Sequence, residues 1–194
     1  MRLHYMGKYN LDPASLPHGE HMPGAVKFRE AEDPGKLARI ANTMSVIIML
    51  VMAVPAVLRC GRYIVASPVR ACLGFIAPIL TLFPHEFLHA VCFREDVYLY
   101  TNLSQGMLFV VGPEPMSRAR FVFMSLFPNI VFGFLPYAVG MIFPQCVFCL
   151  ALGLIAAGMG AGDYYNVFNA VTQMPRGART YLYQFNSYWY MPQD

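Results

Sequence analysis

The chain has 194 residues, of which 57% are hydrophobic and 13% charged, with a formal net charge of +3 and a mean hydropathy of +0.43. Soluble domains carry roughly 25% charged and 45–50% apolar residues, so the composition points to one membrane-embedded domain. The positive balance is too small and too scattered for a nucleic-acid partner.

Residues 1–38 are polar and broken by Pro13, Pro17, Pro23 and Pro34. They predict a cytoplasmic extra-membrane segment, mostly loop, with a short strand near Ala25–Arg29, and their lack of an apolar core predicts no cleavable signal peptide. His18-x-x-His21 falls here and reads as solvated loop. Ile40–Leu58 is an apolar run long enough to cross a hydrocarbon layer as a helix, and Arg59, Arg62 and Arg70 punctuate the connection after it. Ala71–Phe93 is the second span. Pro78 and Pro84 interrupt it, either as a kink or as a local opening that admits water.

Arg94–Arg120 is polar, with strand composition at Val97–Tyr100 and Met107–Val111 and turn residues Asn102, Ser104 and Gly106 between them. It predicts a β-hairpin. Phe121–Phe143 forms a third span containing Pro128, Asn129 and Pro136. A fourth runs from Val147 to about Val171, thinned by Gly153, Gly158, Gly160 and Gly162 so that helices can approach closely. The tail from Thr172 is polar and aromatic, either an interfacial belt or a segment folded back on the soluble side. The five cysteines, Cys60, Cys72, Cys92, Cys146 and Cys149, read as small packing residues and not as a disulfide framework, Cys146-x-x-Cys149 included.

The fold class is therefore an α-helical membrane protein of about four transmembrane helices with a β-hairpin between the second and third. Its parts are an N-terminal segment 1–38, a membrane-embedded domain 39–172 with the hairpin at 94–118, and a tail 173–194. Lysine and arginine placement favours both termini in the cytoplasm, although the arginines at 59–70 oppose this. An integral protein of a bacterial cytoplasmic membrane is expected.

The second span carries His85-Glu86-Phe87-Leu88-His89. On a helix the two histidines lie one turn apart and can grip one Zn²⁺, with Glu86 adjacent as general base. Of the eleven acidic residues only Glu86 and Asp163 fall inside apolar spans. A carboxylate there costs at least a few kcal/mol unless it is partnered, which marks both as functional candidates. Two histidines leave tetrahedral zinc one protein ligand short, with the last place kept for water. Asp163 is the natural third ligand; the bland alternative is a solvated residue just outside a shorter fourth span. Asn166 shares a helix face with Asp163 and could hydrogen-bond a ligand or the substrate. Asn129 could hydrogen-bond a ligand, contact a substrate backbone, or satisfy carbonyls freed by Pro128.

These motifs resemble the putative zincin peptidase family of membrane proteins, which is distantly similar to the site-2 class of intramembrane metalloproteases. The carrying residues are His85-Glu86-Phe87-Leu88-His89 and Gly162-Asp163-Tyr164-Tyr165-Asn166, supported by Leu16-Pro17, Val26-Lys27-Phe28, the hairpin and Pro128-Asn129. The resemblance implies zinc held by His85, His89 and Asp163 with Glu86 as base. It also implies a transmembrane or membrane-proximal peptide substrate that adds a strand beside the hairpin. The site-2 class carries a longer Asn-Pro-x-x-Asp-Gly-like motif around its late Asp, where this chain has Gly160-Ala161-Gly162-Asp163. The expected function is peptide-bond hydrolysis at the membrane. The alternative is a non-catalytic membrane protein that binds metal or a transmembrane helix.

Overall fold

The computed structural model describes residues 1–31 and 33–192. The chain divides into two compact units, one of Met1–Glu32, Glu86–Ser125 and Asn166–Asp194, the other of Asp33–His85 and Leu126–Tyr165.

The second of these is helical. It contains α1 (Pro34–Ala66), α2 (Pro68–Ile76), the start of α3 (Pro78–Ala90), the end of α4 (Arg118–Pro128), a π-helical segment Asn129–Phe134, α5 (Leu135–Ile142), α6 (Val147–Met159) and the start of α7 (Ala161–Gln173). Asp33 caps α1, its carboxylate accepting from the Lys36 amide. Helix α6 is the centre, packing against α1, α2, α5 and the π segment. Its small residues allow this. A Cβ at Gly153 would overlap the Tyr137 backbone and the Gly133 carbonyl, so only glycine lets these helices approach so closely. Ala56, Cys60 and Leu150 form the buried cluster between α1 and α6.

Gly35–Ala66, Pro68–Ala90 and Arg118–Ile142 are each long and apolar enough to cross a membrane. Val147–Met159 and Ala161–Gln173 add a fourth if the pair, bent by 52°, counts as one span. Leu58 is 83% exposed and Leu80 79% exposed. Such apolar helix surfaces suit lipid and would be a liability in water. These features are consistent with a membrane protein.

Several boundaries differ from the sequence expectation. The first helix continues well beyond Leu58 and includes Arg59 and Arg62, which were expected in a connection. Arg59 reconciles its charge with the helix by donating to the Met141 carbonyl at 2.5 Å. The second span breaks at Ala77, just before Pro78, whereas Pro84 lies inside α3 without ending it.

The other unit carries two sheets. In the first, β1 (Leu3–Lys8) pairs parallel with β3 (Val97–Asn102), which pairs antiparallel with β4 (Met107–Val111). The segment expected as a hairpin is thus two strands of a three-stranded sheet. The N-terminal residues expected as loop supply the third, because Tyr9 buries its ring against Tyr100 and Phe109. In the second sheet β2 (Val26–Lys27), β7 (Asn186–Tyr190), β6 (Arg179–Tyr183) and β5 (Met116–Ser117) lie in that order. The aromatic tail is therefore strand. Tyr181, Tyr183 and Tyr188 surround His21, and the Tyr181 hydroxyl lies 3.0 Å from His21 Nδ1. Phe28, Ala170, Met174 and Ala178 form a core against which Phe121, Val122 and Trp189 pack.

Candidate metal centre

Helix α3 presents His85, Glu86 and His89 with ligand-capable atoms all within 4.8 Å of one another. The spacing follows from one helical turn between the two imidazoles. Each of these side chains then takes a particular partner.

His85 Nε2 lies 3.1 Å from Asp163 Oδ2. Asp163 comes from the first turn of α7, where a carboxylate is favoured by the exposed amides of the helix start. Two donors on one tetrahedral zinc, each bonded at about 2.0–2.2 Å, stand about 3.3 Å apart. The observed pair needs only a small opening to hold an ion between them. Asn129, the first residue of the π segment and 1% exposed, donates from Nδ2 to the same Asp163 oxygen at 2.7 Å. Of the roles expected for Asn129, the contact found is the hydrogen bond to a candidate ligand. It orients the carboxylate.

His89 is buried, and its Nδ1 is 2.9 Å from the Met124 carbonyl in α4. A carbonyl can only accept, so Nδ1 carries the proton and, in the neutral ring, Nε2 is the nitrogen with a lone pair. A histidine held this way by a backbone carbonyl is the usual partner arrangement of zinc-ligating imidazoles. The donor set of two imidazoles and a carboxylate, with one ring fixed in the ligating tautomer, fits Zn²⁺.

Glu86 Oε2 accepts the Val110 amide of β4 at 3.0 Å. Within the β3–β4 pair Leu99 faces Val110. The Val110 amide points away from β3, towards the outer edge of a strand that ends its sheet. Asn166 follows Asp163 by one turn of α7, and its side chain makes no hydrogen bond among the described residues.

Close by in the chain, the connection after α3 is clamped. Arg120 donates through Nε and Nη2 to the Cys92 carbonyl at 2.9 and 2.6 Å, and through Nη1 to Glu114 Oε1 at 2.5 Å. Glu114 Oε2 accepts the amides of Arg94 and Glu95 at 2.7 and 3.1 Å. Burial alone would push the Glu114 carboxyl up. The Arg120 guanidinium and the two amides outweigh it and hold the group below the usual carboxylate range.

Sequence reasoning missed Met124, Val110 and the Arg120–Glu114 pair. Met124 had one signal, a proline four residues later. The pairing partners of Glu86 and Arg120 depend on the tertiary fold and leave no local trace.

Among curated proteins and among solved structures, none matches this chain. A family model does: the one described as putative zincin peptidase matches residues 78–179, more than half of the chain and the part that holds every residue of this centre. The chain belongs to the putative zincin peptidase family.

Proposed function

We propose that this chain is a membrane-embedded zinc metallopeptidase that hydrolyses peptide bonds of membrane-associated substrates. Its ligands are His85, His89 and Asp163, and Glu86 is its general base. One observation carries the reading: a carboxylate far along the chain stands 3.1 Å from the first histidine of the motif. An acid inside an apolar segment needs such a purpose to offset its burial.

When bound, Zn²⁺ acidifies a water to a pKa of about 7 and polarises a peptide carbonyl. Glu86 accepts a proton at its carboxylate and returns it to the leaving amine. The Val110 amide fixes Glu86 Oε2 and so the direction in which the other oxygen points. Asn129 fixes Asp163, and Met124 fixes His89.

Strand β4 supports a mode of substrate binding. Among the described residues only β3 pairs with it, so its far edge can accept an extended peptide. Leu108, two residues from Val110, presents its backbone groups to that same edge. A peptide laid there passes beside Glu86. A helical segment must unwind first, since its carbonyls are already bonded.

The test is Glu86→Gln in detergent-purified protein, assayed for zinc content and for cleavage of a membrane-anchored peptide. The variant is expected to retain about one zinc per chain and to lose at least a hundredfold in hydrolysis. Cleavage at the wild-type rate would remove Glu86 from the mechanism, and a wild-type protein that takes up no zinc would remove the metal.

A further inference from the structure

At the end of α7 lies a cavity of about 210 Å³, lined by Val26, Lys27, Arg29, Thr172, Gln173 and Trp189. Two of these side chains are basic and none is acidic. The volume lies below the roughly 300–1,000 Å³ of a drug-sized ligand's site and suits a small anionic group. Gln173 prepares the cavity. Its Oε1 accepts the Arg29 amide at 2.7 Å and its Nε2 donates to the Arg29 carbonyl at 3.3 Å, which fixes the backbone beneath the Arg29 side chain. Lys27 is engaged within the fold. The Arg29 guanidinium is exposed and makes no hydrogen bond or ion pair among the described residues. Nor is Arg29 needed at the helix end, where cations are favoured, because Arg118 Nη1 already donates to the Met174 carbonyl there at 2.8 Å.

Apolar surface borders the cavity. Thr172 is one turn beyond Phe168 on α7, and Phe168 and Val171 are each more than half exposed. Helix α7 is the second half of the fourth candidate span, and Arg29 stands five residues before α1, the first. An apolar helix face that ends at a cation and an indole follows the layering of a phospholipid, with acyl chains deeper, phosphate above them and tryptophan at the headgroup level. We propose that this cavity binds the headgroup of an anionic phospholipid. Arg29 pairs with the phosphate, Trp189 lines the headgroup, and an acyl chain follows Phe168 and Val171. This rests on the membrane reading above and is independent of the peptidase reading.

Trp189 is held in place by its strand. Val26 faces it across the β2–β7 pair, and its ring packs against the core of Phe28, Ala170, Met174 and Ala178. It is the one tryptophan of the chain, so its fluorescence reports on this cavity alone. A single cation beside an anionic bilayer surface confers a preference of about fivefold, which sets the scale of the effect to be read.

The experiment reconstitutes the full chain in phosphatidylcholine vesicles. A fixed minor fraction of the lipid is brominated close to the headgroup, as either phosphatidylglycerol or phosphatidylcholine, and bromine quenches an indole on contact. Brominated phosphatidylglycerol should quench Trp189 with about fivefold preference over brominated phosphatidylcholine. Arg29→Gln should bring that ratio close to unity. Arg176→Gln removes the same charge from an exposed position outside the cavity and should leave the ratio as in wild type. Equal losses in the two variants would assign the preference to general surface charge and overturn the site, as would a wild-type ratio close to unity. Loss of the preference on adding excess inorganic phosphate, at matched ionic strength, would make a free anion the ligand and overturn the lipid. An Arg29 that serves only the fold gives a lower Tm with the ratio intact, which also overturns the proposal. Quenching by neither lipid would overturn the placement of the cavity at a bilayer, a distinct outcome.

Discussion

Gly160 offers the sharpest test of how Asp163, the proposed third ligand, is held. It sits between α6 and α7 with φ −76°, a conformation that alanine adopts without strain. Yet a Cβ there would fall on the Asn129 side-chain oxygen, with the amide nitrogen 2.9 Å away. Asn129 is 1% exposed, so its amide has nowhere to turn, and it donates to Asp163 at 2.7 Å. Gly160→Ala must therefore displace Asn129. Losing a hydrogen bond to a charged acceptor costs about 1.5–3 kcal/mol and overpacking about 1–3 kcal/mol, while the stiffer unfolded chain returns about 0.4–1 kcal/mol. The net loss is about 2–5 kcal/mol, a fall in zinc-free Tm of roughly 5 °C or more. Zinc affinity should fall about 10–100-fold, as when the partner of a metal ligand is removed. Gly162→Ala is the control. It lies two residues away, and its added Cβ meets nothing within 4 Å, so stability should hold or rise by about 0.4–1 kcal/mol with zinc affinity unchanged. Chelator competition and thermal unfolding of both variants decide the matter. If Gly160→Ala binds zinc as tightly as Gly162→Ala, the Asn129–Asp163 bond does not hold the ligand.

Two further outcomes follow from named contacts. Val110→Pro removes the amide that holds Glu86, and proline is tolerated where a strand's amide faces away from its neighbour; zinc content should stay at the wild-type value and hydrolysis fall about tenfold, so unchanged hydrolysis would show that this contact orients nothing. Glu114 is held below the usual carboxylate range, so its contribution to stability is complete above the ordinary glutamate value of about 4.3 and is lost as pH falls through the lower folded value. Glu114→Gln should lower stability by about 3 kcal/mol at neutral pH and flatten the acid limb of the Tm profile; an acid limb identical to wild type would assign that limb to other carboxylates.

How much of this was legible in the sequence depends on which interactions are local. The motif helix was legible because His85, Glu86 and His89 are fixed by one helical turn. Asp163 was legible because a carboxylate in an apolar run is rare enough to need a reason. The strand composition at Val97–Tyr100 and Met107–Val111 was visible, but the third strand of that sheet was not. Residues 3–8 contain Gly7 at φ +78° and no clean alternation, and they become a strand only because β3 offers an edge to pair with. Of the second sheet, β2 was legible as the short strand near Ala25–Arg29, but β6 and β7 were hidden, since their tyrosines read equally as an interfacial belt. The break at Ala77 precedes Pro78, which has no amide hydrogen to give the preceding turn although Ala77 itself stays helical, whereas Pro84 keeps its place inside α3.

The irregular residues around the centre share one logic. A regular helix spends its carbonyls and amides on itself and has none for a metal site. Three local departures release such groups or make room where the ligands need them. Pro128 has no amide hydrogen to offer, and the carbonyl four residues before it, Met124, lies 2.9 Å from His89 Nδ1. Gly160 gives up a side chain, and the space it spares seats Asn129 against Asp163. The 52° bend between α6 and α7 starts a new helix, whose first turn carries Asp163. A carboxylate at that position draws support from the helix's own unpaired amides, which lowers the cost of keeping it charged in an apolar stretch. The same Asp163 midway along an unbroken span would lack both that support and its partner amide. The prolines and glycines that make these helices poor as uniform ones are therefore the residues that let them carry the proposed ligands.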